Sequence, residues 1–198
     1  MKKIWRAFPI FLLPMVTTAY ETMYEKTEVG KIELKEIPGR IALEATTKSP
    51  YFQGDNNLFR TLFRYISKNE VAMTIPVEAE MKPGRMRFFL GRQDVAKKLA
   101  SSDGVKVRNM TALTVVSIGI RGSYTNSRFK RYEAKLENWL SRNTEYEAVS
   151  DPYGVYWNSP FVPGFFKRSE IHVEVKKKGS EEKQERQKNE AAPKPDES

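Results

Sequence analysis

The 198-residue chain has no cysteine and one histidine. No disulfide framework, thiolate metal site, thiol nucleophile or lipid-modified cysteine can be built from it. A zinc centre of the usual kind needs several His, Cys or carboxylate ligands at defined spacing, and a lone histidine does not supply them. GxGxxG, Walker and GxSxG motifs are also missing. So is any Lys/Arg block within the central region that resembles a phosphate-tracking groove, which argues against nucleic acid as a partner. These absences point away from enzymes of familiar type.

Both ends differ from the middle. MKKIWRAFPIFLLPMVTTA opens with Lys2, Lys3 and Arg6, continues through an apolar run from Ala7 to Val16, and places Thr17 and Ala19 before a candidate cleavage point. This is the layout of a secretory signal peptide over 1–19, so export to a periplasm or out of the cell is expected. Retention as an uncleaved N-terminal anchor is the alternative, although the run is short for a bilayer span. Residues 177–198 carry charge and almost nothing apolar. They cannot offset their ordering entropy by burial, and disorder is expected there. Residues 20–175 keep 24 positive and 19 negative charges, a net of +5. That mild excess favours anionic ligands or surfaces.

Periodicity divides the middle into elements. Strands are predicted over 31–38 and 40–47, as a hairpin turning at Pro38-Gly39. A helix follows, with Leu58, Phe59, Leu62, Phe63 and Ile66 on one face and an N-cap among Asp55, Asn56 and Asn57. Two strands, 74–81 and 85–91, flank Lys82-Pro83-Gly84. The pattern then restarts: strands 105–110 and 113–122 as a pair, a helix from Thr125, Asn126 or Ser127 to about Arg142, and strands near 153–158 and 169–175. The second helix has Phe129, Tyr132, Leu136, Trp139 and Leu140 as its apolar face. Two strand-strand-helix-strand-strand units predict an α+β fold with a curved sheet or barrel, two flanking helices and a crevice between the halves.

Few features carry chemistry. Arg60, Arg64 and Lys68 recur every fourth residue on the first helix. They read as a solvated face or as cations aimed at ligand carboxylates. YWNSPFVPGFFKRSE (156–170) is too apolar for a solvated loop and too rich in proline for regular structure. It reads as core closure or as one wall of an apolar groove. His172 alternates with Ile171 and Val173, which predicts a solvent-facing side chain without a ligand or catalytic role. Glu78 and Glu80 share one face of a strand, read as solvated.

NEVAMTIPV (69–77) and YWNSPFVPGFFKRSEI resemble the two signature segments of the SOUL/haem-binding-protein family. YEKTEVGKIELKEIPG and FRTLFRYISKN resemble its opening strand and first helix. The resemblance spans about 20–175, giving a domain over 20–176. It implies a distorted β-barrel built from two repeats with two flanking helices, and non-catalytic binding of haem or another planar tetrapyrrole in a shallow groove walled by helix one. Carried over by position, Arg60, Phe63, Arg64, Lys68, Met73, Tyr156, Phe161 and Phe165 are the implied ligand-binding residues; Thr74, Asn158, Pro160 and Pro163 also match motif positions. The sequence departs from the family pattern at Ser159, Phe161, Gly164 and Ser169. Haem is the implied cofactor, with no histidine identified as its axial ligand. Two rival readings stand beside this one. The first is a protein- or membrane-interaction domain using the aromatic loop, in peripheral contact with anionic lipid. The second is an enzyme on tetrapyrroles or small electrophiles, which needs Glu78, Glu80 or Tyr124 to point inward.

Overall fold

The computed structural model describes residues 20–54 and 56–179. The expected leader, the candidate cap Asp55 and the tail from 180 onward lie outside the described residues.

The described residues form an antiparallel sheet of nine strands with two helices, and a short parallel pair, β1 (Glu21–Thr22) with β4 (Thr74–Ile75). The first half contributes β2 (Ile32–Ile37), β3 (Arg40–Thr46), α1 (Leu58–Lys68), β5 (Val77–Glu80) and β6 (Arg85–Phe89). The second contributes β7 (Val105–Met110), β8 (Leu113–Arg121), α2 (Asn126–Arg142), β9 (Tyr146–Ala148), β10 (Tyr153–Tyr156) and β11 (Arg168–Lys177). The main strand order is β2-β8-β11-β10-β5-β6-β3-β7, with β9 added to the far end of β11. Exchanging the two halves reads this order backwards, so the two units are related about the central β5–β10 pair.

Two expectations are corrected. The sheet is not closed as a barrel: its path ends at β2 on one side and β7 on the other. Nor do β2 and β3 form a hairpin, or β7 pair with β8. Each couple is one long strand with a bend, and the two long strands pair with each other. Ile32 faces Ile118, Ile37 faces Leu113, Arg40 faces Met110 and Ala45 faces Val105, so the register continues across both bends. Pro38-Gly39 thus bends the strand without reversing it. A Cβ at Gly39 would lie 3.3 Å from the Met110 carbonyl oxygen, so the bend brings the two backbones close together. The Lys82-Pro83-Gly84 signal marks a true hairpin, joining β5 to β6.

Both helices pack on one face of the sheet. α1 lies on β3, β6 and β7, burying Leu58, Leu62, Tyr65 and Ile66 against Leu43, Met86 and Phe88. Tyr65 takes the inward position expected of Phe63; its hydroxyl donates to the Ala100 carbonyl at 2.8 Å, while Phe63 is half exposed. α2 begins at a Thr125 cap, whose Oγ1 accepts from the Arg128 N–H, and buries Phe129 and Leu136 against Ile118, Ile120, Ile171 and Val173. Leu62 of α1 and Leu136 of α2 are both fully buried. Leu62→Ala and Leu136→Ala should each cost about 2–5 kcal/mol, with an unchanged denaturant slope, in urea unfolding.

Candidate functional site

The sheet face turned away from the helices is buried where the sheet curls and the N-terminal segment crosses it. Alternation therefore places β11 and β5 carboxylates and a histidine in the interior, not in solvent. His172 is 0% exposed and Glu78 1%, which overturns the solvent-facing reading of both; Glu80 is partly buried. The polar/apolar alternation along β11 says which residues share a face, but here the polar face is covered as well as the apolar one.

The interior holds two polar clusters. In one, Glu170 gathers donors from five segments. Its Oε1 accepts from the Thr27 N–H at 2.7 Å and from Trp157 Nε1 at 2.8 Å. Its Oε2 accepts from Ser117 Oγ at 2.9 Å, Lys35 Nζ at 3.1 Å, Thr27 Oγ1 at 3.2 Å and His172 Nε2 at 2.7 Å. The N-terminal segment reaches this cluster because β8 carries Gly119; a Cβ there would collide with the Glu28 carbonyl oxygen. In the other cluster, Arg40 Nη2 lies 2.6 Å from Glu78 Oε1, and its guanidinium stacks 4.2 Å from the Phe89 ring centre. Nearby, Arg87 bridges Glu44 and Glu80, and Arg85 also pairs with Glu80. Tyr124 is likewise engaged. Its hydroxyl donates to the Arg168 carbonyl at 2.9 Å and accepts from the Asn158 N–H at 3.1 Å, and burial pushes its pKa up to about 12 despite its backbone partners. Glu78 does point inward, but Arg40 already occupies it.

The residues carried over from the resemblance do not form one patch. Arg60 and Arg64 lie exposed on α1 beside Phe63, whose ring stacks on Phe59 at 6.0 Å. Lys68 pairs with Asp103 at 2.9 Å on the surface. Met73 is half-buried against the α1 core. Tyr156 is buried between Tyr51 and Tyr124, with ring centres 6.0 and 4.4 Å away. Phe161 and Phe165 are 93% and 67% exposed on the loop before β11. Of the loop's aromatics, Tyr156 and Trp157 seal the interior, and Phe161, Phe165 and Phe166 do not.

Two larger openings differ in charge. One, of about 590 Å³, lies between the turn at Pro50–Gln53, α2 and the ends of β5 and β10. Glu78, Glu80, Glu133, Glu137, Asp151 and Glu174 line it against only Lys82, Arg87 and Lys130. The other is an open groove of about 650 Å³ between α2 and the β2–β8 pair. Ile32, Ile118, Tyr132 and Trp139 form its apolar floor and wall, Lys135 and Arg142 are its charges, and no carboxylate lines it. Tyr132, Lys135, Trp139 and Arg142 follow at i, i+3, i+7 and i+10. That signal was present in the sequence, but the helix was read there for its core face alone. Both openings fall in the size range of small-molecule sites. Among the described residues no group of three or more His, Cys, Asp or Glu could hold a metal ion, and no helix is long and apolar enough to cross a membrane.

A two-unit α+β domain with surface grooves large enough for an organic ligand is the class this geometry defines. The family profile described as SOUL heme-binding protein matches residues 16–174, and the chain belongs to that family. No curated protein matches the sequence. Among solved structures, the C-terminal domain of EcmrR is similar, with a TM-score of 0.59 and 19% identity over 74% of this chain and 98% of that one. A protein described as a hydrolase from Listeria innocua has a TM-score of 0.51 and 11% identity over 76% of this chain and 94% of that one. An uncharacterized conserved protein from the same organism has a TM-score of 0.54 and 9% identity, covering 75% and 93% of the two chains. At such identities the likeness is one of fold.

Burial alone would raise the Glu170 carboxyl pKa; the His172 hydrogen bond and charge, Lys35 and the Thr27 N–H outweigh it and bring it down to about 2. A carboxylate held below its unfolded value stabilises the fold above the ordinary range near 4.5 and loses that contribution as pH falls toward 2. Unfolding free energy should therefore drop by on the order of 3 kcal/mol across this window. Glu170→Gln should be less stable at neutral pH and show a flatter acid limb in chemical unfolding at stepped pH.

Proposed function

We propose that this protein binds haem or another planar amphipathic tetrapyrrole, without catalysis, in the groove between α2 and the β2–β8 pair. Family membership supports the ligand class. The observation that carries the location is the lining: an apolar wall of Tyr132, Trp139, Ile32 and Ile118 beside two cations, with no opposing carboxylate. A porphyrin ring would lie against the aromatic wall, and its carboxylates would meet Lys135 and Arg142. The central crevice, with its excess of carboxylates, disfavours such a dianion. Tyr132 is the one groove residue of a kind that ligates haem iron. Binding through ring and carboxylates makes iron dispensable. The inward carboxylates and Tyr124 are engaged by partners of their own, which favours a binding role over an enzymatic one.

A second location has its own support, since the stacked Phe59–Phe63 pair on α1 is flanked by Arg60 and Arg64. Titrating the full chain with hemin and with iron-free protoporphyrin separates the two. Both ligands should saturate and quench Trp139 fluorescence. Trp139→Ala, or Lys135→Gln with Arg142→Gln, should weaken binding about tenfold or more, roughly 1.4 kcal/mol. Phe63→Ala with Arg64→Gln should leave it unchanged. The reverse pattern would move the ligand to α1. No saturation by ~10 μM, equivalent to about −7 kcal/mol, would end the tetrapyrrole reading.

A further inference from the structure

The loop between β10 and β11 exposes a cluster of aromatics that the groove does not use. Phe161, Phe165 and Phe166 are 93%, 67% and 61% exposed, and the last two lie in contact at a tilt, with ring centres 4.3 Å apart. A surface group of three such rings is unusual on a solvated domain and marks a contact site.

The loop is held in place rather than loosely tethered. Its two ends are clamped together, with the Arg168 N–H donating to Asn158 Oδ1 and Tyr124 bonded to both residues. Within it, a 3₁₀ turn spans Gly164–Phe166, the Val162 N–H donates to the Ser159 carbonyl, and Lys167 Nζ donates to the Pro160 carbonyl. Gly164 lies so close to Ser123 that a Cβ would overlap its hydroxyl. The rings are thus presented outward by a fixed frame, with little entropy left to lose on docking.

The two chain stretches that build this end carry charge of one sign. Lys167 and Arg168 border the rings, and Arg121 pairs in register with Arg168 at the end of β8. Arg128 bonds the Arg121 carbonyl. Neither chain stretch that builds this end carries an acid: there is none from 104 to 132 or from 152 to 169. The adjoining N-terminal segment adds Lys26 with Glu25 and Glu28, so the excess comes from the two stretches around the loop.

We propose that this loop docks the protein on an anionic phospholipid surface. Phe161, Phe165 and Phe166 enter the acyl boundary, and Arg121, Arg128 and Lys167 meet the headgroups, while Arg168 Nη2 is held by the Thr27 carbonyl at 3.0 Å. Apolar insertion combined with cation attraction is the pairing that holds peripheral proteins on acidic bilayers. Docking there leaves the α2 groove free, because the groove lies along the helix's C-terminal half and the loop is anchored beside its first turn.

The absence of cysteine allows a single label to report on the loop. Phe161→Cys in the full chain, carrying a polarity-sensitive fluorophore, is mixed with phosphatidylcholine vesicles with and without phosphatidylglycerol. Val149→Cys, exposed near the opposite end of β11, is the control. The Phe161 label should shift to the blue on phosphatidylglycerol vesicles, less so as salt rises, while the Val149 label stays aqueous. With a second label site at Phe166→Cys, Phe165→Ser should weaken partitioning about tenfold and Arg121→Gln about fivefold. The proposal fails if the loop label stays aqueous while the protein sediments with vesicles, since another segment then binds them. It fails equally if the shift is the same on uncharged lipid, or if no vesicle shifts the label; a protein partner would then be the remaining use for the loop.

Discussion

One buried carboxylate joins more of this fold than any apolar contact does. Glu170 draws together the N-terminal segment through Thr27, β2 through Lys35, β8 through Ser117, the end of β10 through Trp157, and its own strand through His172. A charge in that position is tolerated only because nearly every lone pair is met. The network fixes the path of the segment that covers the interior face of the sheet. The apolar clusters beneath α1 and α2 supply cohesion on the other face, but either could form without specifying how the N-terminal segment lies.

Charge also separates the two large openings. The two large openings have similar volumes and both mix apolar and polar walls, so size does not separate them. Their carboxylates do. The central crevice gathers acidic side chains from β5, α2 and β11, whereas the α2 groove presents Lys135 and Arg142 on the same helical face as Tyr132 and Trp139. In the function proposed above, the family relationship supports the ligand class and local electrostatics the choice of groove. The turn bearing Tyr51 and Phe52 reinforces this division. Tyr51 stacks near Tyr156 and Phe52 meets Phe129 of α2, filling space between the two halves with side chains.

Much of the fold was legible in the sequence, because helix and strand periods are local. α1, α2 and the eight main strands fall close to where periodicity put them, and Thr125 caps α2 as its residue type suggests. Pairing was less legible. Pro38-Gly39 resembles a hairpin turn, and only the partner ladder shows it to be a bend. The short strands β1 and β9 carry too few residues to show a pattern. At the site, alternation misled for one reason: it assigns Glu170 and His172 to a side of β11, and only curvature and the N-terminal segment say that this side is buried. Phe63 was misplaced by a smaller margin, since Tyr65 could turn inward only with a distant acceptor at Ala100. The α2 groove was within reach of the sequence, as four residues on one face spell it out.

The paired bent strands also bear on how the chain reaches its native state. Residues 32–46 find most of their hydrogen-bonding partners sixty or more positions away, in 105–121, and the two helices rest on the sheet this pairing organises. Neither half contains a complete partner for its own long strand. So long a loop must close before this ladder can form, which raises the contact order and slows folding. During synthesis the first half must wait, with an unpaired strand edge, until Val105–Arg121 has emerged. Two separately made halves, each offering the strand the other lacks, should by the same interdependence assemble with one another.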